Sequence, residues 1–263
     1  MNLGLRGKVA LVAAASRGLG RAIAEELAAE GAHLVICARG AGELERVGGA
    51  IAASSGVEVV AEPADVSDPR DVARVVERGT TRFGRIDILV TNAGGPPAGT
   101  FETLTSEMWD AAVRLLLGSA VGLARAVLPG MKARRWGRIV NVTSIAVKQP
   151  VDSLMLSNSV RAAVTGFART LAAEVAPFGI TVNNALPGYT RTDRVEELAR
   201  ASEARGGPTA EVVRRGWESQ IPAGRLGEPA EFAALVAFLA SERASYITGT
   251  SVPVDGGWIR SLL

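Results

Sequence analysis

The stretch Ala13-Ala14-Ala15-Ser16-Arg17-Gly18-Leu19-Gly20 is the first whose residue types carry chemistry. Small residues let a backbone approach a pyrophosphate. A helix that starts there offers free N–H groups and the positive end of its dipole to the anion. The spacing departs from the usual G-x-G-x-x-G fingerprint, and a plain strand-to-helix turn is the bland alternative. Three further features fall where a dinucleotide site needs them. Arg39 ends the next apolar run, nineteen residues beyond Gly20. An acidic residue at that place would accept a ribose 2′-hydroxyl. An arginine suits a 2′-phosphate instead, through a planar, charge-assisted fork, and Arg17 can supply a second contact. Asp65-Val66 follows the third apolar run, where an adenine edge would lie, and Asn92-Ala93-Gly94 ends the fourth. Each arginine alone reads as a solvated surface charge. Together they point to NADP(H) over NAD(H).

These residues need elements to hold them. Apolar, strand-like runs cover 9–15, 33–37, 57–61, 86–91, 138–142, 180–185 and 251–254. Helical patterns lie between them at 21–30, 41–53, 69–83, 106–131, 157–176 and 229–239. Continuous apolar strands joined by helices predict a parallel sheet covered on both faces. The fold class is therefore α/β: a single-domain Rossmann fold over 1–263, doubly wound, with helices on both faces. The segment 106–131 is apolar nearly all round (Leu115, Leu116, Leu117, Val121, Leu123), which predicts burial in the core or at a subunit interface. Residues 190–221 are rich in charge and contain Gly206-Gly207-Pro208, so a mobile insertion at the substrate mouth is expected.

Composition narrows the function classes. In 263 residues, 48% are hydrophobic and 21% charged, an ordinary balance for a folded protein. Lys and Arg number 29 against 27 Asp and Glu, and no basic block accompanies the net charge of +2, so no nucleic-acid partner is expected. One cysteine, Cys37, excludes an internal disulfide framework, and one histidine, His33, excludes a multi-histidine metal centre. No apolar run is read as transmembrane length and no signal-peptide core opens the chain, so a cytoplasmic protein without a membrane partner is expected.

The ordered motifs resemble the short-chain dehydrogenase/reductase family, and most its 3-oxoacyl-(acyl carrier protein) reductase-like members. The family's Thr-Gly-x-x-x-Gly-x-Gly pattern matches Ala13-Ala14-x-x-x-Gly18-Leu19-Gly20, with Ala14 at the first glycine. Its Asn-Asn-Ala-Gly matches Thr91-Asn92-Ala93-Gly94, its Pro-Gly-x-x-x-Thr matches Pro187-Gly188-x-x-x-Thr192, and its Asp-Gly-Gly matches Asp255-Gly256-Gly257. The resemblance implies that Thr192 holds the nicotinamide carboxamide. It also implies a homotetramer or homodimer built on the two long helices.

The same resemblance implies a catalytic serine, tyrosine and lysine, backed by an asparagine. Ser144 takes the serine's place. The tyrosine is due thirteen residues on, where Ser157 stands, and the lysine four later, where Arg161 stands. The asparagine's place, seven residues after Trp109, holds Leu116. No register shift restores the pair, because the only tyrosines are Tyr189 and Tyr246 and the only lysines Lys8, Lys132 and Lys148. Ser157 and Arg161 are one helical turn apart and face the same way. A serine hydroxyl is a far weaker acid than a phenol of pKa about 10, so it would act through water or as an orienting donor. Arg161 stays charged; it can bind ribose hydroxyls and stabilise an alkoxide but cannot shuttle a proton. Tyr189 follows Pro187-Gly188 and is either an alternative acid or a lid residue. Lys148 and Asp152 border the substrate loop, where solvated charges are the ordinary case.

Three readings compete. The adopted one is an NADP(H)-dependent oxidoreductase acting on a small carbonyl or alcohol, with an atypical proton donor. The second is a catalytically silent NADP(H)-binding sensor or oligomer subunit. The third is different chemistry in the same cleft, such as imine reduction, dehydration or epimerisation.

Overall fold

Apolar runs too short for helices, separated by amphipathic stretches, form one sheet of seven parallel strands. The structure is a computed structural model and describes residues 2–204 and 206–262. The first half alternates β1 (Val9–Ala13), α1 (Gly18–Ala29), β2 (His33–Ala38), α2 (Ala41–Ser55), β3 (Val59–Pro63), α3 (Pro69–Phe83) and β4 (Ile88–Thr91). Then come α4 (Ser106–Ala112), a π-helical segment (Val113–Gly118), α5 (Ser119–Arg134), β5 (Gly137–Val142), α6 (Met155–Val175) and β6 (Ile180–Pro187). The chain ends with α7 (Asp193–Ala204), α8 (Ala210–Gln220), α9 (Pro229–Ala240) and β7 (Ser251–Val254).

The strand order is β3-β2-β1-β4-β5-β6-β7, so the direction of winding reverses between β1 and β4. Such a reversal opens a crevice at the carboxyl ends of the strands, where ligands bind in open α/β sheets. Every residue of β1, β4 and β5 is buried, because helices cover both faces. One face packs against α1, α2 and α9 through residues such as Ile23, Leu27, Leu44 and Phe232. The other packs against α3, α5 and α6 through Val75, Leu123, Met131 and Leu171.

Two polar devices fix the register. Asp87 is fully buried and accepts from Val9 N at 3.0 Å, while Arg85 reaches its other oxygen at 2.7 Å. A buried carboxylate needs such partners. Across the middle of the sheet, Thr91 Oγ1 donates to Asn141 Oδ1 (2.7 Å), Asn141 Nδ2 to Asn184 Oδ1 (3.0 Å) and Asn184 Nδ2 to Ser251 Oγ (3.0 Å). A one-residue slip of any of these four strands would leave buried amides unpaired.

The structure differs from two expectations. The span 106–131 is not one regular helix: a π segment interrupts it at Val113–Gly118, and Val113 and Met108 are exposed rather than buried. Only one stripe, with Leu123, Ala124, Val127 and Met131, meets the sheet. Second, among the described residues Ser106–Arg134 is long and apolar enough, by length and composition, to cross a membrane, contrary to the expectation from sequence. Arg114 and Arg125 break the run to the eye without lowering its mean hydropathy enough. The segment 190–221, expected as a mobile insertion at the substrate mouth, contains two helices. These, α7 and α8, are clipped together where Arg214 of α8 bonds both oxygens of Glu196 of α7 at 2.7 and 2.8 Å.

Candidate functional site

The backbone between β1 and α1 turns sharply, and two residues show how tightly. Gly20 has no room for a side chain: a Cβ there would run into the Ala14 carbonyl and come within 2.9 Å of Asn92 Nδ2. Ala14 itself has φ +51°, in the left-handed region that favours glycine. The motif therefore has glycine where contact demands it and alanine where only conformation does. At the start of α1, Arg17 is the cap residue and makes no side-chain cap bond, and the first turn holds no acid. The free N–H groups and the dipole of this helix end are thus left to face the crevice.

That crevice is a cleft of about 520 Å³. Ala14, Ser16, Arg17, Gly18 and Leu19 line it at the end of β1, Arg39 at the end of β2, Asp65 and Val66 after β3, and Asn92, Ala93 and Gly94 after β4. Ser144, Ser157, Arg161, Pro187, Gly188, Tyr189 and Thr192 line its other half. Of the cofactor residues expected from sequence, only Gly20 stands behind the wall rather than in it. The cleft also takes in Gly95, Pro96, Thr143, Leu154, Val195 and Leu198. These have no motif of their own; the dipeptide Gly95-Pro96, placed directly after Asn92-Ala93-Gly94, is the one available signal.

Neighbours define what each side chain can do. Asp65 is engaged locally: its Oδ1 accepts from Ser67 N (2.9 Å) and Ser67 Oγ (2.7 Å). Arg39 is exposed and has no ion pair among the described residues, whereas Arg17 lies 3.7 Å from Asp193. Ser144 Oγ accepts from Ala146 N at 3.1 Å, which occupies one of its two lone pairs and leaves its proton to be donated. Ser157 stands one turn before Arg161 on α6, as the spacing predicts.

Arg161 donates from Nη1 to the Val142 carbonyl at 2.9 Å. Burial, and then the charge of Arg194, push its pKa down to about 10. It is still a cation at neutral pH. Tyr189 stacks on Trp217, with ring centroids 4.7 Å apart, and meets Trp258 edge-on at 5.9 Å. Burial, and then the Asp152 charge, push its phenol up to about 12. Leu116 is buried in the π segment, packs with Ala112, Leu156 and Val160, and also lines a small cavity with Asn92, Thr143 and Arg161. The adjoining Thr143 Oγ1 is buried without a hydrogen-bond partner.

The remaining candidates lie elsewhere. Lys148 and Asp152 stand outside the cleft lining. His33 opens β2, accepts from Glu58 N at 3.1 Å and stacks on Phe83, which is a structural role. Cys37 is buried in β2, and burial raises its thiol pKa to about 12.

Comparison with known proteins agrees with this architecture. Residues 13–259 match the family model described as enoyl-(acyl carrier protein) reductase. The chain is 38% identical over 253 residues to the 3-oxoacyl-(acyl carrier protein) reductase FabG of Haemophilus influenzae, covering 96% of this chain and 98% of that one. It superposes on L-sorbose reductase from Gluconobacter frateurii, solved with NADPH and L-sorbose, with a TM-score of 0.94, 37% identity and full coverage of both chains. It also superposes on a single-residue variant of the actinorhodin polyketide ketoreductase solved with NADPH, with a TM-score of 0.92, 32% identity and coverage of 97% and 98%.

Proposed function

The chain belongs to the short-chain dehydrogenase/reductase family of oxidoreductases, and from that premise we propose that it is an NADP(H)-dependent reductase of a small carbonyl compound, or oxidant of the matching alcohol, that works without a tyrosine acid. One observation carries the reading: the cleft joins an open helix N-terminus and an unpaired Arg39 to Ser144, Ser157 and Arg161.

The residues present fit the cofactor. The uncapped start of α1, with Gly18 and Leu19 in the cleft wall, suits a diphosphate. Arg39, helped by Arg17, suits a 2′-phosphate, and the relatives solved with NADPH support the same choice. Asn92, Gly188 and Thr192 line the cleft between these residues and Ser144. When bound, NADPH supplies a hydride.

The chain's own groups do the rest. Ser144, held by the Ala146 N–H, donates its proton to the substrate oxygen and orients it. Arg161, anchored on the Val142 carbonyl, stabilises the negative charge that develops on that oxygen. Neither group gives up a proton for good. Ser157 holds a solvent molecule that does. In this reading Ser157, Arg161 and Leu116 form one altered site in which the family's tyrosine, lysine and asparagine have no counterpart, and α7 with α8 forms a substrate lid.

The test is deuteride transfer from 4-deuterated NADPH to a panel of carbonyl and imine compounds, read by mass spectrometry. A single deuterated stereoisomer of an alcohol is the expected result. Transfer confined to imines would replace carbonyl with imine reduction. Tight NADPH binding with no transfer to any compound would leave the silent-binder reading in its place.

A further inference from the structure

The cleft holds more positive charge than its cofactor half requires. Arg17 and Arg39 sit at the ends of β1 and β2, beside the helix end suited to phosphates. Arg161 and Arg194 line the same cleft, as do Ser144, Ser157 and Tyr189, and Asp193, next to Arg194, lies 3.7 Å from Arg17. Arg161 spends one donor on the Val142 carbonyl and has no carboxylate partner among the described residues. Arg194 is held over the cleft from α7. Its Nη2 donates to the Pro96 carbonyl at 2.8 Å, and it lies so close to Gly95 that a Cβ there would come within 2.7 Å of its Nε. Its one acidic neighbour, Glu197, is 3.7 Å away, and both side chains are open to solvent, so that pair is weak. The two guanidiniums repel each other, which helps to hold the Arg161 pKa down. Two cations lining one cleft, only one of them with a weak carboxylate partner among the described residues, are relieved by an anion that bridges them. The uncapped start of α1, with Arg17 and Arg39, already provides for the phosphates of the proposed cofactor.

We infer that this half of the cleft binds a carbonyl compound that carries a carboxylate, an oxo acid, with the carboxylate held between Arg161 and Arg194. The inference takes the identity of the reaction from the proposed reductase reading but can be tested without it. A monoanion fits better than a phosphate ester, because Glu197 and Asp193 also face the cleft and oppose a second negative charge.

Benzoylformate, its methyl ester and inorganic phosphate are titrated by calorimetry into protein saturated with NADP+, which cannot give a hydride. The expected result is that benzoylformate binds more tightly than the ester by at least ~10-fold, and that Arg194→Gln removes most of that difference, as suits a charge-assisted hydrogen bond. Arg194→Lys retains part of it, and Arg161→Gln repeats the loss from the other side. Because Arg194 lies on a partly exposed helix, its variants test the idea even if Arg161→Gln fails to fold. Equal binding of acid and ester, or an acid-to-ester ratio unmoved by Arg194→Gln, overturns the inference. Tighter binding of phosphate than of benzoylformate overturns it as well. Failure of the reductase reading looks different: benzoylformate binds selectively, yet no deuterium reaches it from labelled NADPH.

Discussion

Tyr189 and Trp217 stack with their ring planes 16° from parallel, so the tyrosine that follows Pro187-Gly188 belongs to an aromatic wall shared by β6 and α8. Leu186, Ile221, Leu226 and Trp258 complete that wall. A phenol held near pKa 12 by burial stays neutral at all working pH values and gives its proton reluctantly. Tyr189→Phe is therefore expected to keep kcat within about 3-fold, since loss of a general acid costs ~10²–10⁴-fold. A fall of that larger size in steady-state assays would make Tyr189 the proton donor.

Arg161 gives a pH prediction with two opposite signs. Its folded pKa, about 10, lies below the ordinary arginine value. The folded state therefore binds fewer protons than the unfolded state above pH 10, and this group's contribution makes stability rise with pH there. Activity is expected to move the other way if Arg161 steadies the oxyanion as proposed, because its cation is lost through the same range. A pH–rate profile measured with Arg161→Lys alongside the parent should shift its alkaline limb. An unchanged limb would remove Arg161 from the chemistry.

Arg39 is exposed and has no ion pair among the described residues, so its removal breaks no structural bond. Arg39→Ala is expected to lower the preference for NADPH over NADH by ~10–100-fold, the worth of a charge-assisted bond. Paired Kd measurements for the two cofactors check it. A preference that stays put would place the 2′-phosphate elsewhere or nowhere.

Ala14 adopts φ +51° without being glycine. Left-handed backbone costs a non-glycine residue about 1–2 kcal/mol, while glycine returns about 0.4–1 kcal/mol of chain entropy to the unfolded state. Ala14→Gly should stabilise the protein by the remainder, between about 0 and about 1.6 kcal/mol, read by urea unfolding. A clear loss of stability would mean that the Ala14 methyl makes packing contacts that outweigh the strain.

Asp87 is fully buried between Val9 N, Arg85 and Arg134. Asp87→Asn keeps the shape and removes the charge. Arg85 is partly exposed, so the cost belongs at the low end for a broken buried pair, about 2–3 kcal/mol. Chemical denaturation of the variant measures it directly.

Much of this was legible along the chain. Every strand expected from the apolar pattern is present, and so is every expected helix except the single one over 106–131, which is broken into three segments; ends are displaced by a few residues, and burial on both faces forces the strands into near-continuous apolar runs. The two helices within 190–221 were not legible. Their apolar residues are few, and what orders them is distant: Glu196 meets Arg214, and Trp217 meets Tyr189. The π segment at Val113–Gly118 was also hidden, since the residues that form it are ordinary helix formers.

The sequence alone determined the sheet, the glycine turn, the cleft's arginine at 39 and the absence of any Tyr-x-x-x-Lys pair. These depend on residue type, period and spacing, which are local. Only the tertiary structure decided that Arg161 and Arg194, thirty-three residues apart, line one cleft, that Leu116 meets Arg161 and Thr143 at a small cavity, and that Tyr189 packs against two tryptophans. Those facts depend on which surfaces meet when helices fold back over the carboxyl ends of the strands, and no local pattern carries that information.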